Sequence, residues 1–146
     1  MIKSADTNIF IHYHDAQSPW HDRAVSYMHS IKDDASFRIS SYMLVELYNQ
    51  LRNVALFRAP YDAQQASDIC MAYKNNPRWA YVDYQDKIDD ELWKYASQQN
   101  FARRRIYDVR MAISLQRDGV KEFATANVKD FKDLGFAHVW NPLEDE

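Results

Sequence analysis

The chain is poor in the residues that punctuate or cross-link a fold. Of 146 residues only Gly119 and Gly135 are glycine, four are proline and one, Cys70, is cysteine. A single cysteine excludes an internal disulfide framework. So few glycines leave little material for tight hairpins and suit a chain dominated by helices. No window approaches the roughly 20 apolar residues of a membrane span. Lys3 and Asp6 follow Met1 with no long apolar stretch, so no signal peptide is expected and a soluble, cytoplasmic protein is. Neither sign of charge is in excess: 21 acidic residues against 18 basic ones argue against holding nucleic acid by bulk positive charge. A local basic patch remains open.

What is abundant is aromatic. Ten Tyr, seven Phe and four Trp supply bulky material for a core and for an interface. The length suits one domain spanning 1–146, with any site built inside it or shared with a second copy. Short strand candidates at 2–5, 37–40, 81–83, 122–125 and 137–140 alternate with helical stretches at 8–14, 23–31, 43–55, 62–74, 87–99 and 108–117. That alternation predicts an α/β domain with a parallel sheet of about five short strands. The third helix follows a Ser40-Ser41 cap and carries Met43, Leu47, Leu51 and Val54 on one apolar face. The fourth does the same through Ala66, Ile69, Ala72 and Tyr73 beside Cys70, and Asn75-Asn76-Pro77 stops it.

Acidic or amide residues stand at the edges of these apolar segments: Asp6, Glu46, Asp108, and Asn127 with Asp130. Carboxylates rarely face apolar surface unless a cation compensates them. In α/β domains the ligand crevice lies beyond the carboxyl ends of the strands. Asp6 and Asn127 occupy such exits, while Glu46 and Asp108 fall in the opening turns of helices, so the set is expected to converge. Carboxylates within about 4–6 Å of one another do not all ionise without a neutralising ion. Oxygen ligands without His or Cys suit Mg²⁺ or Mn²⁺, and such an ion beside a phosphodiester implies hydrolysis by a metal-activated water.

Plainer roles exist for each. Asp6 serves equally as a helix cap. Glu46 would be a solvated helix residue were Tyr42, Met43 and Gln50 not its helical neighbours, and Asp108 shares its stripe with Met111, Ala112 and Leu115. Arg103, Arg104, Arg105 and Arg110 form either a solvated surface or a grip on phosphate groups, with Arg52, Arg58, Lys74 and Arg78 as weaker candidates. The histidines at 12, 14, 21, 29 and 138 lack zinc spacing, and Cys70 is expected in the core.

Five segments in order carry a resemblance: Asp6-Thr7-Asn8, Val45-Glu46-Leu47, the Asp108 helix ending Gln116-Arg117-Asp118-Gly119, Thr125-Ala126-Asn127-Val128-Lys129-Asp130-Phe131, and Asn141-Pro142. Over essentially the whole chain they resemble the PIN-domain nucleases, in particular the VapC-like toxins of toxin–antitoxin pairs. The resemblance implies a three-layer α/β/α fold with an acidic pocket that cuts single-stranded RNA using Mg²⁺ or Mn²⁺. It makes Asp6 and Asp108 the principal metal ligands and lets Glu46 complete the pocket. Many members have an acid where Asn127 stands, so either Asn127 or Asp130 fills the fourth catalytic position. Asn8, Thr125 and the four arginines are expected to bind substrate. Ile106-Tyr107 stands where the family often has small residues, which implies a bulkier rim. The partners implied are an RNA of the transfer or ribosomal class, a small antitoxin and a second copy of the chain. Tyr13, Trp20, Tyr27 and Tyr48 are then interface or plain core. The competing readings are a PIN-fold module that binds RNA or protein without cutting, and a PIN nuclease acting on DNA.

Overall fold

Every strand is only three residues long, and the central residues Ser4, Ile39 and Phe123 of three of them are buried, as parallel strands covered by helices require. The computed structural model describes residues 1–144, so the last two residues of the expected 1–146 domain lie outside the described residues. The chain runs β1 (Lys3–Ala5), α1 (Thr7–His14), α2 (His21–Ile31), β2 (Arg38–Ser40), α3 (Ser41–Leu51), α4 (Ala63–Lys74), β3 (Ala80–Val82), α5 (Asp89–Ala96), α6 (Arg105–Arg117), β4 (Glu122–Ala124), α7 (Val128–Phe131) and β5 (His138–Trp140). All strand pairs are parallel. β4 lies between β1 and β5, with Ala5 opposite Ala124 and Ala124 opposite Trp140. β2 pairs with β3, and a parallel bridge between Lys3 and Phe37 joins the two sheets edge to edge. The Ser4 hydroxyl reinforces that seam by donating to the Arg38 carbonyl at 2.7 Å. The five expected strands are therefore present, in the order β3-β2-β1-β4-β5.

Local chemistry explains several helix ends. The Ser40 hydroxyl accepts from Tyr42 N at 3.1 Å and starts α3. Asp62 and Gln65 form a reciprocal capping box that starts α4. At the end of α6, Gly119 N donates to the Gln116 carbonyl and Val120 N to the Leu115 carbonyl, with Gly119 at φ 90°. This is a Schellman termination, and it requires the left-handed backbone that glycine adopts without strain. Buried Leu115 and Val120 close it from the apolar side.

Four expectations need correction. The helix expected to run to residue 55 ends at Leu51, so Val54 leaves the apolar face and is 82% exposed. Ala72 is exposed, one position outside the half-buried stripe of Ile69, Cys70 and Tyr73. The expected helix at 87–99 is confined to α5, whereas α6 starts at Arg105, three residues earlier than expected. Finally α7, a single turn, was not anticipated as an element; fully buried Phe131 pins it against Phe123, with ring centroids 4.7 Å apart.

The core beside β1 and β2 is largely aromatic. Phe10, fully buried, meets Tyr73 edge-on at 5.0 Å and lies near Phe37 and Trp79. The Trp79 indole N–H is satisfied by the Ile31 carbonyl at 2.7 Å. Among the described residues no helix is long and apolar enough to cross a membrane. Replacing Phe10 by Ala removes the ring on which these contacts meet and is expected to cost about 3–5 kcal/mol. A midpoint shift in urea denaturation measures it.

Candidate acidic site

The site begins where β1 and β4 end side by side. Asp6 leaves β1 with its backbone N–H donating to the Ala124 carbonyl at 2.8 Å, and only 5% of its surface is exposed. Its carboxylate is held from two directions. Thr7 N–H donates to Oδ1 at 2.8 Å, capping α1, and the Thr125 hydroxyl donates to Oδ2 at 2.8 Å. The same Thr125 oxygen accepts from Asn127 N at 2.9 Å, and Asn8 Oδ1 accepts from Ala126 N at 3.2 Å. Side chains thus lace the two strand exits together. Glu46 comes from the second turn of α3 and accepts from the Thr7 hydroxyl at 3.3 Å. Asp108 lies half-buried in the first turn of α6.

These carboxyls feel one another. Burial pushes Asp6 up to about 7; the Thr125 hydroxyl and Thr7 N–H oppose the rise, and the charges of Glu46 and Asp108 add to it. Burial likewise raises Asp108 to about 6, with Glu46 and Asp130 adding and Arg105 opposing. Glu46 keeps an exposed residue surface, yet desolvation of its carboxyl end raises it, against the Thr7 hydroxyl and the Arg110 charge. Among the described residues no three Asp, Glu, His or Cys side chains are gathered tightly enough to form a finished ligand cage. What the fold assembles is a patch of mutually repelling acids whose charge a cation would relieve.

The other expected site residues divide. Asp130 bears electrostatically on Asp108, whereas Asn127 is exposed and its side chain makes no capping bond to α7. Thr125, expected at the substrate, is fully buried and donates its hydroxyl to Asp6. Asn8 is similarly engaged by the β4–α7 loop. Arg105 donates to the Asp130 carbonyl at 2.9 Å and to Asp133 at 3.2 Å, bracing α6 against α7. Arg103 and Arg104 are exposed. Arg110 lies over the Tyr42 ring at 4.1 Å from its centroid. Sequence reasoning missed two contributors: the Thr7 hydroxyl, whose signal was its place between Asp6 and Asn8, and Tyr42, whose signal was its four-residue spacing from Glu46 on α3.

A parallel α/β fold with acids at its strand exits and helix starts, in this order along the chain, defines the PIN-domain class. No protein-family model matches the chain. Ribonuclease VapC24 from two strains of Mycobacterium tuberculosis is 35% identical over 140 residues, covering 96% of this chain and 96% of its own length. Among solved structures, the M. tuberculosis toxin VapC20, which cleaves the sarcin–ricin loop, superposes with a TM-score of 0.63 at 13% identity, over 83% of this chain and 86% of its own. FitAcB from Neisseria gonorrhoeae gives 0.63 at 19% identity, over 98% and 99% of the two chains. FitAB bound to a DNA fragment gives 0.62 at 18%, over 99% and 97%. The chain belongs to the VapC family of PIN-domain toxins, which are endoribonucleases.

The raised carboxyls set a pH dependence for the metal-free protein. A carboxyl that binds its proton more tightly when folded contributes stability fully below its unfolded pKa, and loses it as pH rises through the folded value. For Asp6 the window runs from roughly pH 4 to the folded value of about 7. In EDTA the melting temperature is expected to fall across that window. Asp6→Asn should melt above the wild type at pH 8 and show a shallower slope, as differential scanning fluorimetry would register.

Proposed function

We propose that this toxin cuts RNA at the Asp6–Glu46–Asp108 patch with Mg²⁺ or Mn²⁺, within one PIN-like domain formed by the chain. The observation that carries the proposal is the Asp6 carboxylate, raised first by its burial and further by two neighbouring acids, and held by two hydrogen bonds. The donor set fits a hard divalent ion, since all its ligands are carboxylate oxygens. Asp6, Asp108 and Glu46 would hold it. When bound, it lowers the pKa of a water and offsets negative charge at the phosphorus.

The chain's own groups do the remaining work. Thr125 and Thr7 fix both oxygens of Asp6, so its orientation is set before substrate arrives. The Thr7 hydroxyl ties Glu46 to the same frame. Asp130 supports the fourth catalytic position better than Asn127, because its charge reaches Asp108. Arg110 draws a phosphate toward the acids, and exposed Arg103 and Arg104 supply diffuse attraction at the rim.

Family membership supports an RNA of the transfer or ribosomal class, a small antitoxin that silences the toxin, a homodimer, and a cytoplasmic place of action where such RNAs are found. Exposed Trp20 and half-buried Tyr13 and Tyr48 are available to such interfaces, while buried Tyr27 belongs to the core.

The test incubates the purified protein with total RNA plus Mn²⁺ or Mg²⁺ and maps new ends. Asp6→Asn and Asp108→Asn are expected to abolish cleavage while keeping the far-ultraviolet circular dichroism of the wild type. Undiminished cleavage by either would sink the proposal. RNA binding that persists in EDTA with no cleavage under any ion favours the non-cutting module. Thr125→Val, close in shape but lacking the hydroxyl, is expected to lower activity by roughly 10–100-fold, as loss of a ligand-orienting partner does. A metal titration of its initial rates checks this.

A further inference from the structure

From the geometry we infer that Tyr107, backed by Arg110, Tyr42 and Tyr84, is a stacking platform for an unpaired base of the RNA next to the cleavage site. This rests on the proposed ribonuclease site and adds the group that reads its substrate. The rings and the guanidinium form one continuous ladder. Tyr84 meets Tyr42 edge-on with centroids 4.9 Å apart, Arg110 lies over Tyr42 at 4.1 Å, and Tyr107 stands 5.6 Å from the same guanidinium. Both ends are open: Tyr107 is 61% and Tyr84 60% exposed. Large aromatic rings in solvent beside an acidic site gain by being covered, and a base offers a flat face to cover them.

Arg110 supplies the second half of the recognition. It makes no hydrogen bond or ion pair among the described residues, and its Nε is buried without a partner. A guanidinium that lies over the Tyr42 ring and makes no hydrogen bond keeps its outer donors free for a phosphate. Position ties the ladder to the chemistry, for Tyr107 precedes Asp108 and Tyr42 lies one helical turn before Glu46. A single strand offers both a base and a charged phosphate at each step, and that pairing of needs favours RNA over a protein side chain.

The experiment uses a single-stranded RNA oligonucleotide carrying 2-aminopurine, with the Asp6→Asn protein so that binding is read without cutting. Adding Tyr107→Ala is expected to weaken binding roughly tenfold and to remove the fluorescence quench that stacking causes. Tyr107→Trp should restore both. In the cleaving protein the same Tyr107→Ala change is expected to raise KM more than it lowers kcat, with the pH profile unmoved. Equal affinity and equal quenching with and without the Tyr107 ring overturn the inference, as does RNA binding that stays intact while antitoxin binding alone weakens. Failure of the wild type to cut any RNA tells against the proposed function instead, because binding and quenching are measured in a protein that does not cut.

Discussion

A carboxylate nearly removed from water at the joint of two strands has to be compensated on every side, and much of this molecule follows from how Asp6 achieves that. Its backbone continues the hydrogen bonding of β1 to β4, and its side chain caps α1 and takes the Thr125 hydroxyl from across the sheet. The strand exit, the helix start and the neighbouring strand end are therefore fixed by one residue. The compensation is incomplete, since two donors do not offset burial together with the charges of Glu46 and Asp108. Energy left uncompensated in this way is a common property of binding sites for cations.

The arginines illustrate how residues adjacent in sequence separate in role. Arg105 is spent on holding α6 against α7 through Asp130 and Asp133, and Arg103 and Arg104 remain in solvent. Arg110, two residues beyond Asp108, is the one whose charge acts on Glu46, and it lies over the Tyr42 ring with Tyr107 nearby rather than in an ion pair. A guanidinium ion-paired to a pocket acid would neutralise the charge that draws a metal. Stacking preserves both charges.

The order of elements was legible because short apolar runs alternate with amphipathic stretches, and because caps such as Ser40 and Asp62 state helix starts locally. Gly119 likewise marked the end of α6. Less legible was anything decided by contact. Val54 continues the periodicity of Leu47 and Leu51, but the helix stops before reaching it. α7 is one turn long, too short for a periodic pattern, and exists because Phe131 finds Phe123. Thr125 lies in a motif that suggests a substrate contact, yet the pairing of β4 between β1 and β5 buries it.

By itself the sequence determined the alternation of strands and helices, the caps and stops, and which acids stand at element edges, since these depend on residues within a few positions of one another. Only the tertiary structure decided that Asp6, Glu46 and Asp108 share one patch. It also placed Asp130 where its charge acts on Asp108, buried the Thr125 hydroxyl against Asp6, and set Arg110 over the Tyr42 ring. Those relations join residues from β1, α3, α6 and the β4–α7 loop. The energy of a charge in such a place depends on burial and on distance to other charges, neither of which has a local signature in the chain.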